Sequence, residues 1–200
     1  ATFAIPCDGS GGGGAAPIPT PTPSTGKTST PTPTRTPTAT PMPGLTVKLL
    51  PSDDAQARAD NPTTNYGRQK SYRIDEDPAT NVYLTFRVGN GGNRKVASAK
   101  IRLYVSEGGD AGATLQQAGS TSWSEGSITW ANRPATGRTN FGTLNIAIAS
   151  GQWIEFDVTS AIRGDGTYSF VLSIPYDDGL KFSSKEADAN QPYLLITYAA

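Results

Sequence analysis

Apolar and polar residues alternate along most of the chain from position 44 onward. Residues 81–89, NVYLTFRVG, and residues 98–107, SAKIRLYVSE, place an apolar side chain at nearly every second position. A period of two predicts β-strands with one buried face. The same alternation of apolar and polar residues is found in residues 45–50, 70–77, 141–149, 152–162, 168–175, 180–187 and 193–199.

These segments predict about nine or ten short strands separated by turn-forming residues, with no long amphipathic helix between them. Many short strands with frequent turns are typical of all-β sandwiches and jelly rolls. We therefore expect residues 44–200 to form an all-β domain, a jelly-roll-like antiparallel β-sandwich.

Residues 123–134, WSEGSITWANRP, are the most distinctive stretch of this domain. They contain Trp123 and Trp130, and the third tryptophan of the chain is Trp153. An indole buries roughly 150–250 Å² in a core, whereas an exposed indole can serve as a platform for a sugar ring. Burial is the commoner case, so we expect all three tryptophans to be structural core residues.

Residues 17–43 form a low-complexity linker with nine prolines and ten threonines. Proline fixes φ and donates no backbone hydrogen bond, so the linker favours extended polyproline II structure. Two interpretations stay open, an unmodified spacer and a mucin-like O-glycosylated stalk. The candidate glycosylation sites are Thr20, Thr22, Thr32, Thr34 and Thr38.

Residues 1–16 are an apolar arm followed by a glycine-rich spacer. Phe3 and Ile5 either belong to a fraying terminus or form a strand donated to the sheet edge of a neighbouring subunit. Cys7 is the single cysteine, so it is free, lipid-anchored or disulfide-linked to another subunit. The start at Ala1 rather than Met suits a mature secreted protein or a trimmed chain.

The composition argues against several classes of function. The formal net charge is zero and the basic residues do not cluster, so we expect no nucleic-acid partner. No apolar run is long enough for a transmembrane segment. Histidine is absent, which removes Ser-His triads and histidine metal sites.

Eight short motifs follow one another in the predicted domain. They are Asp54-Ala55, PTTNYG at 62–67, YLTF at 83–86, AKIRLYV at 99–105, the tryptophan stretch at 123–134, WIEFDVT at 153–159, FSSKE at 182–186 and PYLLITY at 192–198. With these motifs, residues 45–198 resemble the DNRLRE/disaggregatase-related domains, a family that includes alginate-binding carbohydrate modules. The resemblance implies a jelly-roll-like sandwich without catalysis, carried on secreted enzymes and surface proteins. We therefore expect an extracellular or cell-surface location.

Several acidic residues are candidates for catalysis or for metal binding. Two carboxylates suffice for glycoside hydrolysis, and Glu125, Glu155, Asp157 and Glu186 have the required side chains. Each has a simpler structural role, such as Glu125 accepting hydrogen bonds from the backbone or from Arg133, so we expect no enzyme activity and no cofactor. The exception is a structural calcium ion, for which Asp54 and Asp75 are the best candidates.

An acidic polysaccharide would need cations and aromatic rings on one face of a sheet. Alternation places Lys100, Arg102 and Tyr104 on one side of their strand and turns Arg73 outward. These four residues are the predicted carbohydrate-binding residues. The alternative is an ordinary solvated face.

Two functions remain open. The first is a structural or adhesive surface protein, a filament subunit that self-assembles by strand donation, because a plain binding module has no use for an apolar arm ahead of its linker. The alternative is a polysaccharide-binding module tethered by the Pro/Thr stalk.

Overall fold

A computed structural model describes residues 12–14, 17, 44–89, 91–92, 94–110 and 112–200. The described strands all belong to the unit Thr40–Ala200. The predictions for Phe3, Ile5 and Cys7 lie outside the described residues. So do those for Thr20, Thr22, Thr32, Thr34 and Thr38.

The described part of the chain contains eleven β-strands. They are β1 (Thr46–Leu49), β2 (Asp53–Arg58), β3 (Ser71–Glu76), β4 (Ala79–Val88), β5 (Val96–Glu107), β6 (Thr114–Ala118), β7 (Thr136–Thr143), β8 (Trp153–Asp157), β9 (Gly166–Ser173), β10 (Leu180–Ser183) and β11 (Tyr193–Tyr198). No helix among the described residues is long and apolar enough to cross a membrane.

All strand pairs are antiparallel, and the strands form one continuous curled sheet. One half has the order β1-β11-β5-β8, and the other has the order β2-β4-β9-β6-β7. Strands β3 and β10 join the halves, because β10 pairs with β5 and β3 pairs with β4. The prediction of an all-β antiparallel β-sandwich is confirmed.

The main core lies between the two halves and is built by the alternation visible in the sequence. Along β4, Val82, Leu84, Phe86 and Val88 are buried in this core, and β5 contributes every second residue from Ala99 to Val105. Because side chains alternate across a strand, the residues between them lie on the outer faces. The outer face of one half carries a second core, and that of the other half carries a group of aromatic rings.

A second, smaller core covers the outer face of the β2-β4-β9-β6-β7 half. Its buried residues are Ala55, Ala57, Tyr83, Ala118, Ile128 and Val171, and Trp123 and Trp130 pack against them. The Trp123 indole donates a hydrogen bond to Ser169 Oγ at 2.7 Å, and its ring meets Tyr83 edge-on at 5.9 Å. The tryptophan stretch therefore forms a lid that shields this half of the sheet from water.

Backbone contacts hold the tryptophan stretch to residues 62–67. Asn65 Nδ2 donates to the carbonyls of Glu125 at 2.7 Å and Ile128 at 2.6 Å. A Cβ on Gly67 would lie 1.9 Å from the Glu125 carbonyl oxygen, so this close approach requires glycine. Two of the recognised motifs thus form one local structure.

The strand predictions miss β2 and β6, which lie outside the predicted segments, and they misplace β7. Residues 141–149 were expected to form a strand, but β7 is Thr136–Thr143 and Ile148 makes only an isolated bridge to Gly109. β7 is an edge strand whose residues are mostly polar and exposed. It therefore lacks the alternation that reveals a half-buried strand.

Candidate functional site

Three aromatic rings lie together on the outer surface of the β1-β11-β5-β8 half. The β5–β8 register pairs Tyr104 with Trp153, and their neighbours Leu103 and Ile154 point into the core. The Trp153 ring lies 5.5 Å from Tyr104 and 5.3 Å from Tyr193 of β11, with interplanar angles of 66° and 60°. All three rings are half-buried, so each keeps part of its surface open to solvent.

Three cations surround these rings. Lys48 Nζ lies 4.1 Å from the Tyr193 ring centroid, and the Arg102 guanidinium lies 5.5 Å from that of Trp153. Arg102 also donates a hydrogen bond to Tyr193 Oη at 2.9 Å. Lys100 follows on the same side of β5. We call the six residues Lys48, Lys100, Arg102, Tyr104, Trp153 and Tyr193 the aromatic face.

Glu155 fixes the positions of two of these cations. Its carboxylate lies 2.6 Å from Lys100 Nζ and 3.5 Å from Arg102 Nε. The hydrogen bond that Lys100 donates to Glu155 is the main reason that the pKa of Lys100 is raised, so Lys100 stays charged. Three cations against the two carboxylates of Glu155 and Asp157 leave this face with a net positive charge.

The aromatic face includes three of the four predicted carbohydrate-binding residues, Lys100, Arg102 and Tyr104. Arg73 is not among them. It lies on β3, where its guanidinium pairs with Asp75 at 2.7 Å and Glu107 at 3.2 Å. Arg73 is therefore held within a separate charged group on the joining strands.

Trp153 differs from its prediction as a core residue. It belongs to neither buried cluster, because the register that buries Ile154 turns Trp153 to the outer surface. Sequence reasoning also missed Tyr193 and Lys48. The alternation in YLLITY could have identified Tyr193, because burial of Leu194 and Ile196 places Tyr193 on the outer face.

A second group of ionisable residues joins the tryptophan stretch to the sheet. Ligand atoms of Asp54, Glu125 and Glu186 all lie within 4.8 Å of one another. Lys185 Nζ lies 2.7 Å from Glu125 and 2.5 Å from Glu186, and its backbone N–H donates to Asp54 at 2.8 Å. We call these four residues the carboxylate cluster. Glu125 thus pairs with Lys185 rather than with Arg133.

The carboxylate cluster suits an internal ammonium better than a calcium ion. Calcium takes six to eight oxygen ligands, whereas here Lys185 already supplies positive charge to both glutamates. Asp75 lies elsewhere, paired with Arg73, so the two residues predicted for calcium are not brought together. Ion pairs also argue against the catalytic alternative, because Glu125, Glu155 and Glu186 are each paired with a lysine.

Asp54 should make the domain more stable in mild acid than in mild alkali. Burial raises the pKa of Asp54 from 3.8 to about 7, and the Glu186 charge adds to the shift against the hydrogen bond from the Lys185 backbone. The folded state therefore binds a proton that the unfolded state releases near pH 3.8. This contribution to stability is complete below pH 3.8 and is lost as the pH rises through about 7.

We expect the free energy of unfolding in urea to fall by roughly 2–3 kcal/mol between pH 5 and pH 8 because of this group. The variant Asp54→Asn keeps an acceptor for the Lys185 N–H and should remove most of this dependence. If the free energy of unfolding changes equally with pH in both proteins, the pKa of Asp54 is not raised in the folded state.

One family model matches the chain. It is the model of carbohydrate-binding module family 96, and it covers residues 45–198. A search of curated proteins found no match. The family match supports the carbohydrate-binding part of the resemblance, but it does not extend to the DNRLRE/disaggregatase name. It favours the polysaccharide-binding alternative over the filament subunit, for which it offers no support.

Proposed function

The chain belongs to carbohydrate-binding module family 96, and we propose that it binds an anionic polysaccharide through the aromatic face. The observation that carries this proposal is the cluster of Trp153, Tyr104 and Tyr193 beside three cations on one open sheet surface. Partly exposed aromatic rings can pack against the apolar sides of sugar rings. The cations can pair with carboxylate or sulfate groups on the sugars.

The arrangement favours binding without catalysis. Each side chain of the aromatic face lies on a paired strand, so its position is preorganised and little entropy is lost when a ligand binds. Glu155 is occupied by Lys100 and Arg102 rather than standing free as an acid or base. A module of this kind would hold a larger secreted protein, or a cell surface, on its polysaccharide.

Affinity electrophoresis tests the charge preference. We expect a polyuronate such as alginate in the gel to retard the protein strongly and neutral hydroxyethyl cellulose to retard it little. The variant Lys48→Gln/Lys100→Gln should bind the polyuronate about tenfold more weakly, since each exposed charge contact contributes up to about 1 kcal/mol. Rising salt should reduce the wild-type affinity because exposed charge pairs are screened.

The matched control is Arg87→Gln/Arg138→Gln, which removes two exposed cations from β4 and β7 in the opposite half of the sheet. It should bind like the wild type after correction for free mobility. Equal retardation by the neutral and anionic polymers would contradict the preference for anionic chains. Absence of retardation by every polysaccharide tried would contradict the proposed function.

A further inference from the structure

A cleft opens at one edge of the sandwich, beside the aromatic face. Its volume is about 780 Å³, and it lies between the edge strand β7, the first residues of β5 and the turn that follows β8. That volume lies within the range of pockets that hold small ligands. We call it the edge cleft.

The floor of the edge cleft is apolar and its rim is polar. Val96, Phe141 and Ile162 line the floor, and the Phe141 ring is fixed edge-on against Phe170 at 5.5 Å. Lys95 and Arg163 lie on the rim, and neither forms an ion pair with any described residue. An apolar floor with two available cations suits an anionic sugar, which has apolar ring faces and a charged substituent.

Two strands connect the edge cleft to the aromatic face, because β5 begins at Val96 in the cleft and β8 ends there at Asp157. Asp157 lines the cleft and is paired in register with Lys100 of the aromatic face. Hydrogen bonds from Thr159 lower the pKa of Asp157, so its carboxylate is charged and its position is fixed. Trp153 and Asp157 are the two ends of the five-residue strand β8, about 13 Å apart along the strand.

From this continuity we propose that one anionic polysaccharide chain runs over Arg102 and Lys100 of β5, from the aromatic face to Val96 and Lys95 in the edge cleft. This inference rests on the proposed function, because the aromatic face supplies the first part of the path. The binding site is therefore long, and it selects extended chains over short oligosaccharides. A short oligosaccharide fills the aromatic face alone, and a longer one also reaches Lys95 and Arg163.

The test is a calorimetric titration with uronic-acid oligosaccharides of increasing length, from trisaccharide to octasaccharide. The wild-type affinity should rise with length to a plateau at least tenfold above that of the trisaccharide, with one chain bound per protein. The variant Lys95→Gln/Arg163→Gln should bind the trisaccharide like the wild type but lose most of the gain with length. A control for the cleft is Arg68→Gln/Arg87→Gln, which removes two exposed cations outside the cleft lining and should keep the full gain.

The outcomes separate this inference from the proposed function. Failure of the wild type to bind any length would overturn the proposed function. Binding with a length dependence that the Lys95→Gln/Arg163→Gln variant retains would overturn the continuous path alone. A stoichiometry of two octasaccharides per protein would also overturn it, because the cleft and the face would then bind separate chains.

Discussion

Replacing Trp153 with alanine is expected to weaken polysaccharide binding by at least thirtyfold while leaving the domain folded. Trp153 contacts both Tyr104 and Tyr193, so its loss removes the centre of the aromatic face. Aromatic side chains at the centre of a binding surface contribute about 2 kcal/mol or more. Because Trp153 is half-buried and lies outside both cores, its removal leaves the packing between the sheet halves in place.

The binding of Trp153→Ala can be measured by isothermal titration calorimetry and its fold by thermal unfolding. Tyr176→Ala is a suitable control, because Tyr176 is 45% exposed in the loop after β9 and belongs to no part of the aromatic face. Trp153→Phe keeps a ring and should lose less affinity than Trp153→Ala. Full affinity in Trp153→Ala would exclude the aromatic face as the binding surface.

Removing the lysine of the carboxylate cluster is expected to have a large effect on the stability of the domain. Lys185→Met leaves Asp54, Glu125 and Glu186 close together without a cation, and we expect it to lower the free energy of unfolding by about 3 kcal/mol at pH 7. Asp54 is fully buried and the glutamates are mostly buried, so water compensates little of the repulsion. The loss should be smaller at pH 5, where Asp54, whose pKa burial raises to about 7, is neutral.

The control for Lys185→Met removes the remaining charges as well. The variant Glu125→Gln/Lys185→Met/Glu186→Gln should regain most of the lost stability, because replacing a whole buried ion group costs less than breaking it. Urea unfolding measures both variants. A loss below about 0.5 kcal/mol in Lys185→Met would show that the cluster does not hold the tryptophan stretch in place.

The fold was largely predictable because most strands are buried on one face. Strands β4, β5 and β11 each bury alternate apolar residues, so their periodicity is visible in the sequence. β7 was misplaced because its side chains are polar and exposed on an edge strand. β2 is not predicted as a strand because Asp54 and Gln56, which alternate with its buried alanines, are polar although they are buried.

The candidate site was predictable only within single strands. Alternation along β5 placed Lys100, Arg102 and Tyr104 together, and the structure keeps them together. Trp153 and Tyr193 join them through strand pairing between segments far apart in the sequence, which local periodicity does not encode. The carboxylate cluster was missed for the same reason, since Asp54, Glu125 and Glu186 come from three distant segments.

The most direct test of the proposed site follows the three tryptophan indole N–H signals by NMR while a uronic-acid octasaccharide is added. Trp153 lies in the aromatic face, whereas the Trp123 indole is bonded to Ser169 and the Trp130 ring is stacked against Arg133. We predict that the Trp153 signal, assigned with Trp153→Phe, shifts and saturates while the other two stay in place. Shifts of Trp123 or Trp130 with an unchanged Trp153 signal would place the ligand on the opposite half of the sheet and contradict the account.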